Sequence, residues 1–445
     1  MKLIETLKNI WKIEDLRKRL TITFLFIVLY RFGCHVVLPG INPSDLEAMR
    51  KFTSGGLMQL LDMFSGGAFG QASIFALGIM PYITASIVIQ LLGMVMPSFQ
   101  KMQREGESGR MKLNQYTRYL TVAILLVQAP AYLMNLQYQV NAAGGHAMIS
   151  FPMKVYLTIV LTAGAMMIMW LGEKITDKGI GNGISIIILV GILARFPGAI
   201  VQEFTSRLNT AQGGLVMFLV EIVILFAVTA GAVMLTQGTR KVPVQYAKRI
   251  VGNKQYGGAR QYIPLKVNAA NVMPIIFAQA LMFIPISFAG FGARQDASGF
   301  GAWISRNFGD MNGVWYNVVY FLLIVAFTYF YTAITVRPTQ MAEEMKKNSG
   351  FIPGVKPGKK TAEYLDSIMS RITLPGSLFL GIVAILPAFA RYFGINQQFA
   401  QFFGGTSLLI TVGVVLDTLQ QIETHLMMHH YDGLMKSGKL KGRNR

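Results

Sequence analysis

Four charged residues lie inside long apolar stretches, where an ionised side chain is costly and by default indicates a function: Arg31, Arg195, Glu221 and Asp417. Asp417 is the best candidate for a deeply placed charge, and such a carboxylate is what an ion-coupled transporter needs. It has no clear charged partner in the sequence, so it could instead accept hydrogen bonds between helices. Arg31 and Glu221 can reach a membrane surface by extending along their helices.

One histidine pattern resembles a metal site. In HLMMHH, His425 and His429 have helical spacing and His430 is adjacent, with Glu423 and Asp432 as the nearby acids. A solvated helix end explains this pattern better than a closed ligand shell does. We find no phosphate-binding loop, nucleophile elbow or catalytic dyad, so the sequence predicts neither a cofactor nor enzymatic activity.

Two pairs of isoleucines stand next to glycines. Ile79 and Ile83 are four residues apart, as are Ile184 and Ile188. Residues at this spacing share one helix face. Asn182 can cap the second helix, and the neighbouring glycines allow a tight turn before it. Packing against lipid or core is the ordinary interpretation of each pair, and an apolar lining for a passage is the alternative.

A short apolar segment precedes the second long apolar stretch. Residues 55–70 read GGLMQLLDMFSGGAFG, and glycines bracket the apolar part from Leu57 to Phe64. This part is too short to cross a bilayer. Backbone at membrane depth that is not part of a spanning helix must be buried in protein or line a cavity. The segment is therefore either a movable re-entrant stopper on glycine hinges or an amphipathic helix on the outer surface.

These residues must be positioned by membrane-spanning helices. The chain is 53% hydrophobic and only 14% charged, well below the roughly 25% charged residues of soluble domains. A span needs about 20 apolar residues, and ten segments satisfy this requirement. They are 20–38, 72–96, 118–138, 153–172, 183–203, 215–237, 270–291, 314–336, 373–391 and 405–425.

Charge predicts the orientation of the spans. The segments that share a side with the N-terminus hold 32 of the 41 Lys and Arg residues. An excess of these residues on one side is typical of cytoplasmic loops, so both termini are predicted to be cytoplasmic. The first twenty residues predict an amphipathic helix on that face, with no small-residue cleavage pattern. The asymmetry accounts for most of the net charge of +20 without a nucleic-acid ligand.

Ten spans divide into two groups of five. Because five is odd, the second group enters the membrane from the opposite side, as in an inverted repeat. We therefore predict an N-terminal half at 1–204 and a C-terminal half at 205–445, which carries large basic cytoplasmic loops at 239–269 and 337–372. The predicted fold is an all-α polytopic membrane protein with ten transmembrane helices, two inverted five-helix halves and a re-entrant plug helix.

Eight motifs, in order along the chain, resemble the SecY family, whose members are the central subunits of the bacterial Sec translocon. They are MFSGGAFGQASIFALGIMPYITASIVIQLL (63–92), EGESGR (105–110), QYTRY (115–119), MWLGEKITDKGIGNGISIII (169–188), YAKR (246–249), PLKVN (264–268), FIPGVKPGKKT (351–361) and FGGTSLLI (403–410).

The resemblance implies roles for individual residues. Residues 57–67 are similar to the plug, with Leu57, Leu60, Leu61, Met63, Phe64, Gly66 and Gly67 as its candidates. The pore-ring positions are Ile79, Ile83, Ile184, Ile188, Ile276 and Ile410. Partner-docking candidates are Arg240, Lys241, Lys248, Arg249, Lys254, Lys356, Lys359 and Lys360. Spans two, three, seven and eight resemble the lateral gate, with Gln90, Gln128 and Gln279 as its polar candidates.

The resemblance also implies a function, namely a channel for secretion of unfolded polypeptides and insertion of membrane proteins in the bacterial inner membrane. Its expected partners are the SecE and SecG subunits, the SecA ATPase, the ribosome, the translocating chain with its signal sequence, and lipids. Two positions depart from the family pattern, because Lys356 and Asn253 stand where arginine is usual, and lysine lacks the planar fork of arginine. A ten-span solute transporter and a structural hub are the rival functions.

Overall fold

Each of the ten predicted segments contains one long helix. The computed structural model describes residues 13–41, 62–142, 150–209, 214–246, 249–251, 254–256, 260–292, 307 and 313–436. The long helices are α1 (Glu14–Cys34), α2 (Met80–Val95), α4 (Glu107–Ala142), α5 (Phe151–Lys178), α6 (Gly183–Asn209), α7 (Gly214–Gln237), α8 (Met273–Gly292), α9 (Val314–Thr335), α11 (Lys359–Tyr392) and α13 (Gly405–Lys436). Shorter helices are α3 (Pro97–Arg104), α10 (Pro338–Lys347) and α12 (Gln397–Ala400).

Within the described part of the chain, seven helices are long and apolar enough to cross a membrane. An eighth span results if Met80–Gly93 and Pro97–Gln103 count as one, although the chain bends by 102° between them. Pro97 explains this bend, since Met96 before it has the extended conformation that a following proline favours. The protein is therefore a mainly helical, multi-pass membrane protein.

Several helices extend beyond the predicted spans. Helix α4 begins at Glu107, eleven residues before the predicted start at 118, and α11 begins at Lys359 rather than 373. The polar residues added in this way are mostly exposed. The prediction followed the apolar run, whereas a helix continues past the hydrocarbon as long as its polar side chains remain in water.

The predicted start of the second span is wrong. Residues 72–79 form turns, and helix α2 begins only at Met80. An isolated antiparallel bridge joins Val37 to Ser73, and the amide of Leu38 donates to the carbonyl of Ala72 at 2.9 Å. These contacts hold the turns of this segment beside the end of α1.

The basic loop at 239–269 contains β-strands, which apolar runs did not reveal. Strand β1 (Thr239–Tyr246) pairs antiparallel with β4 (Arg260–Lys266), and Val242 faces Ile263. Strand β1 also pairs with β5 (Gly350–Phe351) from the second basic loop. Strands β2 (Arg249–Val251) and β3 (Lys254–Tyr256) form a separate hairpin. The two basic loops are thus parts of one folded cap.

The chain forms two compact units. Unit 1 comprises residues 1–201 and 414–445, and unit 2 comprises residues 202–413. The core of unit 1 includes Phe69, Tyr132, Leu133 and Leu161. In unit 2, Val242, Leu265, Met345, Ile352 and Leu365 belong to a cluster of buried apolar side chains beneath the cap. The division into inverted halves at residue 204 stays a prediction.

Candidate functional site

The segment that precedes helix α2 includes the last plug candidates. It is largely buried although it is mostly not helical. Residues 62–64 are helical, and turns follow as far as Ile79. All nine residues from Asp62 to Gly70 are buried, and Ala68 and Ala72 have no exposed surface. Buried backbone must be hydrogen-bonded within the protein. We call residues 62–79 the plug root.

Asp62 organises the beginning of the plug root. One oxygen of its carboxylate accepts from the amide of Gly70 at 2.6 Å, and the other forms an ion pair with Arg195 on α6. The carbonyl of Asp62 accepts from the amide of Gly67 at 2.7 Å. This single residue therefore closes the loop from Asp62 to Gly70 and attaches it to another helix of unit 1.

Helix α1 binds the same loop from another side. The hydroxyl of Tyr30 donates to the carbonyl of Ser65 at 3.2 Å, and Nη1 of Arg31 donates to the carbonyl of Gly66 at 2.8 Å. Arg31 thus has a partner within the protein, and its reach to a membrane surface stays a prediction. Its guanidinium satisfies a carbonyl in a loop that cannot satisfy it internally.

The glycines of the plug root allow close packing. Gly66 and Gly67 have φ angles of +66° and +93°, in the region that side chains other than that of glycine rarely adopt. A Cβ on Gly66 would lie 3.0 Å from the Cα of Gly191, and one on Gly67 would lie 3.0 Å from Nη2 of Arg195. The sequence suggested flexible hinges here, but the backbone at these glycines is fixed by its neighbours.

The remaining plug candidates fall into two groups. Met63 and Phe64 are buried, each about 4% exposed, at the start of the plug root. Leu57, Leu60 and Leu61 lie outside the described residues. The role of these residues as a plug stays a prediction.

In unit 1, four candidate pore-ring isoleucines lie at two helix starts. Ile79 and Ile83 are buried and one turn apart, and the amide of Ile83 donates to the carbonyl of Ile79 at 3.1 Å. Ile188 is buried and Ile184 is half-buried at the start of α6. The predicted cap of α6 is confirmed, because Oδ1 of Asn182 accepts from the amides of Ile184 and Ser185 at 3.1 and 3.3 Å.

Unit 2 carries the other two pore-ring candidates. Ile410 on α13 is buried and Ile276 on α8 is half-buried. A side chain that faced lipid would be exposed in the isolated chain, and none of the six isoleucines is. This burial is compatible with the predicted ring, which stays a prediction.

The three gate glutamines differ in their surroundings. Gln90 on α2 is half-buried and donates to the hydroxyl of Ser86 at 3.3 Å, and Gln128 on α4 is half-buried. Gln279 on α8 is buried, and its Oε1 has no hydrogen-bond partner within the described part of the chain. A gate role for the three stays a prediction.

The other polar candidates also have definite places. Glu221 does not reach the membrane surface as the sequence suggested, because it is buried and paired with Arg207. Asp417 is half-buried on α13. His425 is half-buried near the end of the same helix, whereas the side chains of His429 and His430 lie outside the described residues.

The cap presents a basic surface. The docking candidates Arg240, Lys241, Lys356, Lys359 and Lys360 are exposed. The side chains of Lys248, Arg249 and Lys254 lie outside the described residues, as does Asn253.

The tip of the second loop projects from this surface. Gly354 and Gly358 have φ angles of +84° and +99°, and a Cβ on either would meet nothing within 4 Å. Lys356 lies between them, and its carbonyl accepts from the hydroxyl of Thr361 at 3.0 Å. The tip is therefore a defined turn whose lysine is free of steric cover.

Sequence reasoning missed the Asp62–Arg195 pair and a buried cluster of Glu203, Arg207 and Glu221. Arg195 was recognised as a charge inside a span, but its partner lies 133 residues away in the chain. Glu203 and Arg207 are four residues apart, and this helical spacing was the signal that could have revealed them.

Many apolar helices, an internally hydrogen-bonded irregular segment and a basic cap together define a polytopic helical membrane protein of the channel or transporter class. The SecY family model matches residues 73–419. A Streptomyces galbus protein translocase subunit SecY is 44% identical over 435 residues, covering 96% of this chain and 98% of that protein. The SecY of Halalkalibacterium halodurans is 44% identical over 440 residues, covering 98% and 100%. The chain belongs to the SecY family.

Solved structures have the same fold. A protein-conducting channel matches with a TM-score of 0.60 at 20% identity and 92% coverage of both chains. A second SecY channel, studied for the role of its plug in the closed state, matches with a TM-score of 0.62 at 19% identity and the same coverage. Canine Sec61 in its ribosome–channel complex matches with a TM-score of 0.59 at 19% identity, again with 92% coverage of both chains.

Proposed function

We propose that this chain is the channel subunit through which unfolded polypeptides are secreted and membrane proteins are inserted. The observation that carries the proposal is the plug root, a buried irregular segment with its own hydrogen bonds to two helices of unit 1. Irregular backbone at membrane depth occurs where it is packed in protein or lines a passage. A chain built only as a structural hub has no need of such a segment.

The six isoleucines form the pore ring. A narrow apolar constriction excludes ions by dewetting, so it blocks ion flow without a group that physically occludes the pore. Branched aliphatic side chains can part around a passing chain and close again because they form no specific bonds with it. The burial of Ile79, Ile83, Ile188 and Ile410 supports this assignment.

The plug is a second seal, and its anchored end is Asp62. Residues 57–67 are this plug, and the ion pair of Asp62 with Arg195 and the hydrogen bonds from Tyr30 and Arg31 hold its described part, residues 62–67. The helices that carry Gln90, Gln128 and Gln279 form a lateral gate that opens toward lipid. Residues 1–204 and 205–445 act as inverted halves.

Energy comes from outside the chain, which is not itself an enzyme. The basic cap docks the SecA ATPase or the ribosome, and SecE and SecG complete the membrane complex. Exposed Lys356 at the tip and Arg240 and Lys241 on β1 support this assignment. The subunit lies in the bacterial inner membrane with the cap and both termini on the cytoplasmic side, as the distribution of Lys and Arg indicates.

Reconstitution tests the proposal. Proteoliposomes that contain the complete complex, the ATPase and ATP should import an unfolded presecretory chain, and liposomes without this subunit should not. Uptake of a small solute by the same proteoliposomes, with no import of the polypeptide, would instead indicate a transporter.

A further inference from the structure

A buried cluster of three charged side chains lies in unit 2. Nε of Arg207 donates to Oε1 of Glu203 at 2.9 Å, and Nη2 of Arg207 donates to Oε1 of Glu221 at 2.6 Å. The side chain of Arg207 is 7% exposed, that of Glu203 is 1% exposed and that of Glu221 is 2% exposed. Glu203 and Arg207 belong to α6 and Glu221 to α7, so the cluster joins the ends of neighbouring helices.

The surroundings of the cluster are apolar. Phe204, next to Glu203, makes an edge contact with Phe218 on α7 with ring centroids 5.5 Å apart. Phe218 also stacks on the buried Phe399 of α12 with centroids 6.5 Å apart. One guanidinium balances only one of two carboxylates here, and an uncompensated buried charge is strongly unfavourable.

Hydrogen bonding distinguishes the two glutamates. Glu203 accepts at both oxygens, since its Oε2 receives the backbone amide of Asn396 at 2.9 Å. Glu221 accepts only at Oε1, and its Oε2 is buried with no hydrogen-bond partner in the described part of the chain. The two carboxyl groups are themselves within hydrogen-bonding reach of each other.

A proton on Oε2 of Glu221 resolves both problems. It removes the excess negative charge, and it converts an unpartnered acceptor into an O–H group that donates to the carboxylate of Glu203. We propose that Glu203, Arg207 and Glu221 form a binding site for one proton, held by Glu221 in the folded protein. The bound proton ties α6 to α7, and Glu203 ties both to the turn before α12.

The proposal has a definite consequence for stability. Arg207 and Glu203 are the charged groups that act on the Glu221 carboxyl. An exposed glutamate is ionised at neutral pH. Unfolding therefore releases the proton, the folded state binds more protons than the unfolded state, and stability falls as the pH rises.

Two isosteric variants test the assignment in the full-length protein in detergent. Glu221→Gln replaces the neutral carboxyl with an amide that can donate the same hydrogen bond, so we expect its Tm to change by less than about 2 °C. Glu203→Gln places an amide donor against Arg207 or the amide of Asn396. We expect the Tm of this variant to fall by about 5 °C. An equal loss in both variants would overturn the proposal.

The pH dependence provides the second readout. Above about pH 4.3, the ordinary pKa of an exposed glutamate, the Tm of the wild type should fall as the pH rises for as long as the folded protein keeps the proton, and Glu221→Gln should remove that part of the slope. The control is Glu173→Gln, which breaks the partly exposed pair with Arg118 and should keep the wild-type slope. The infrared carbonyl band of a protonated carboxyl group should be lost in Glu221→Gln alone. An unchanged slope or an unchanged band in that variant would mean that Glu221 is ionised.

Discussion

The carboxylate of Asp62 forms an ion pair with the guanidinium of Arg195, and the same carboxylate accepts the amide of Gly70. This pair fixes the start of the plug root, which contains the plug candidates Met63, Phe64, Gly66 and Gly67. Any displacement of residues 62–67 must therefore break this polar anchor.

Asp62→Asn should weaken this anchor. The amide keeps one acceptor but loses the charge, and the cost to folding should be about 1 kcal/mol, because Arg195 is 38% exposed and solvent screens the pair. We expect higher ion conductance of the resting channel in planar bilayers and relaxed exclusion of defective signal sequences. The double variant Asp62→Arg with Arg195→Asp should restore the low conductance in part. If neither Asp62→Asn nor the double variant changed the ion conductance, the ion pair would not anchor the plug root.

Gly66→Ala and Gly67→Ala should each destabilise the protein. Both positions have positive φ and neighbours within 3.0 Å of a new Cβ, so each substitution should cost about 1–3 kcal/mol, measured as a fall in Tm. Gly198→Ala is the matched control, since that Cβ would meet nothing within 4 Å. If all three variants kept the Tm of the wild type, the plug root would be loosely packed.

Polar substitution of the ring should make the channel leak. Ile79→Asn combined with Ile83→Asn would hold water at the constriction and raise chloride conductance in planar bilayers. The double change to Leu keeps an apolar lining and should leave conductance low. A ring function would be falsified if the asparagine variant conducted no more than the leucine variant.

Lys356→Glu should weaken binding of the ATPase or the ribosome without unfolding the cap. The side chain is exposed at the tip of a glycine-flanked turn, so reversal of its charge acts on the partner alone. Lys356→Arg retains the charge and adds donors, and it should bind at least as well. The Kd of the partner for the reconstituted complex is the measurement, and salt should reduce the difference. Undiminished binding by the Glu variant would place the docking surface elsewhere.

Ile352→Ala should disrupt the cap. Ile352 is 2% exposed in the core that joins β1 and β4 to α10 and α11, and its truncation should cost about 2–5 kcal/mol. We expect protease cleavage within the two basic loops and loss of partner binding, while the membrane spans stay folded. Val355→Ala, at a half-buried neighbour of the same cluster, should have a smaller effect. If both variants resisted protease as well as the wild type does, the folding of the two basic loops would not depend on this core.

The sequence by itself determined the positions of the ten long helices, because a run of about 20 apolar residues has one low-energy arrangement in a bilayer. It also determined the cap at Asn182, which depends on a side chain two residues from its amide partner. The family motifs in the sequence indicate the function.

Only the tertiary structure decided which distant groups meet. The partner of Arg195 at Asp62, the carbonyl that Arg31 binds and the strand pairing of β1 with β5 all join residues far apart in the chain. Apolar periodicity reports which face of a segment is buried but not what lies against it. For that reason the glycines of the sequence suggest hinges around the plug, whereas only the structure shows that Gly66 and Gly67 are packed closely against Gly191 and Arg195.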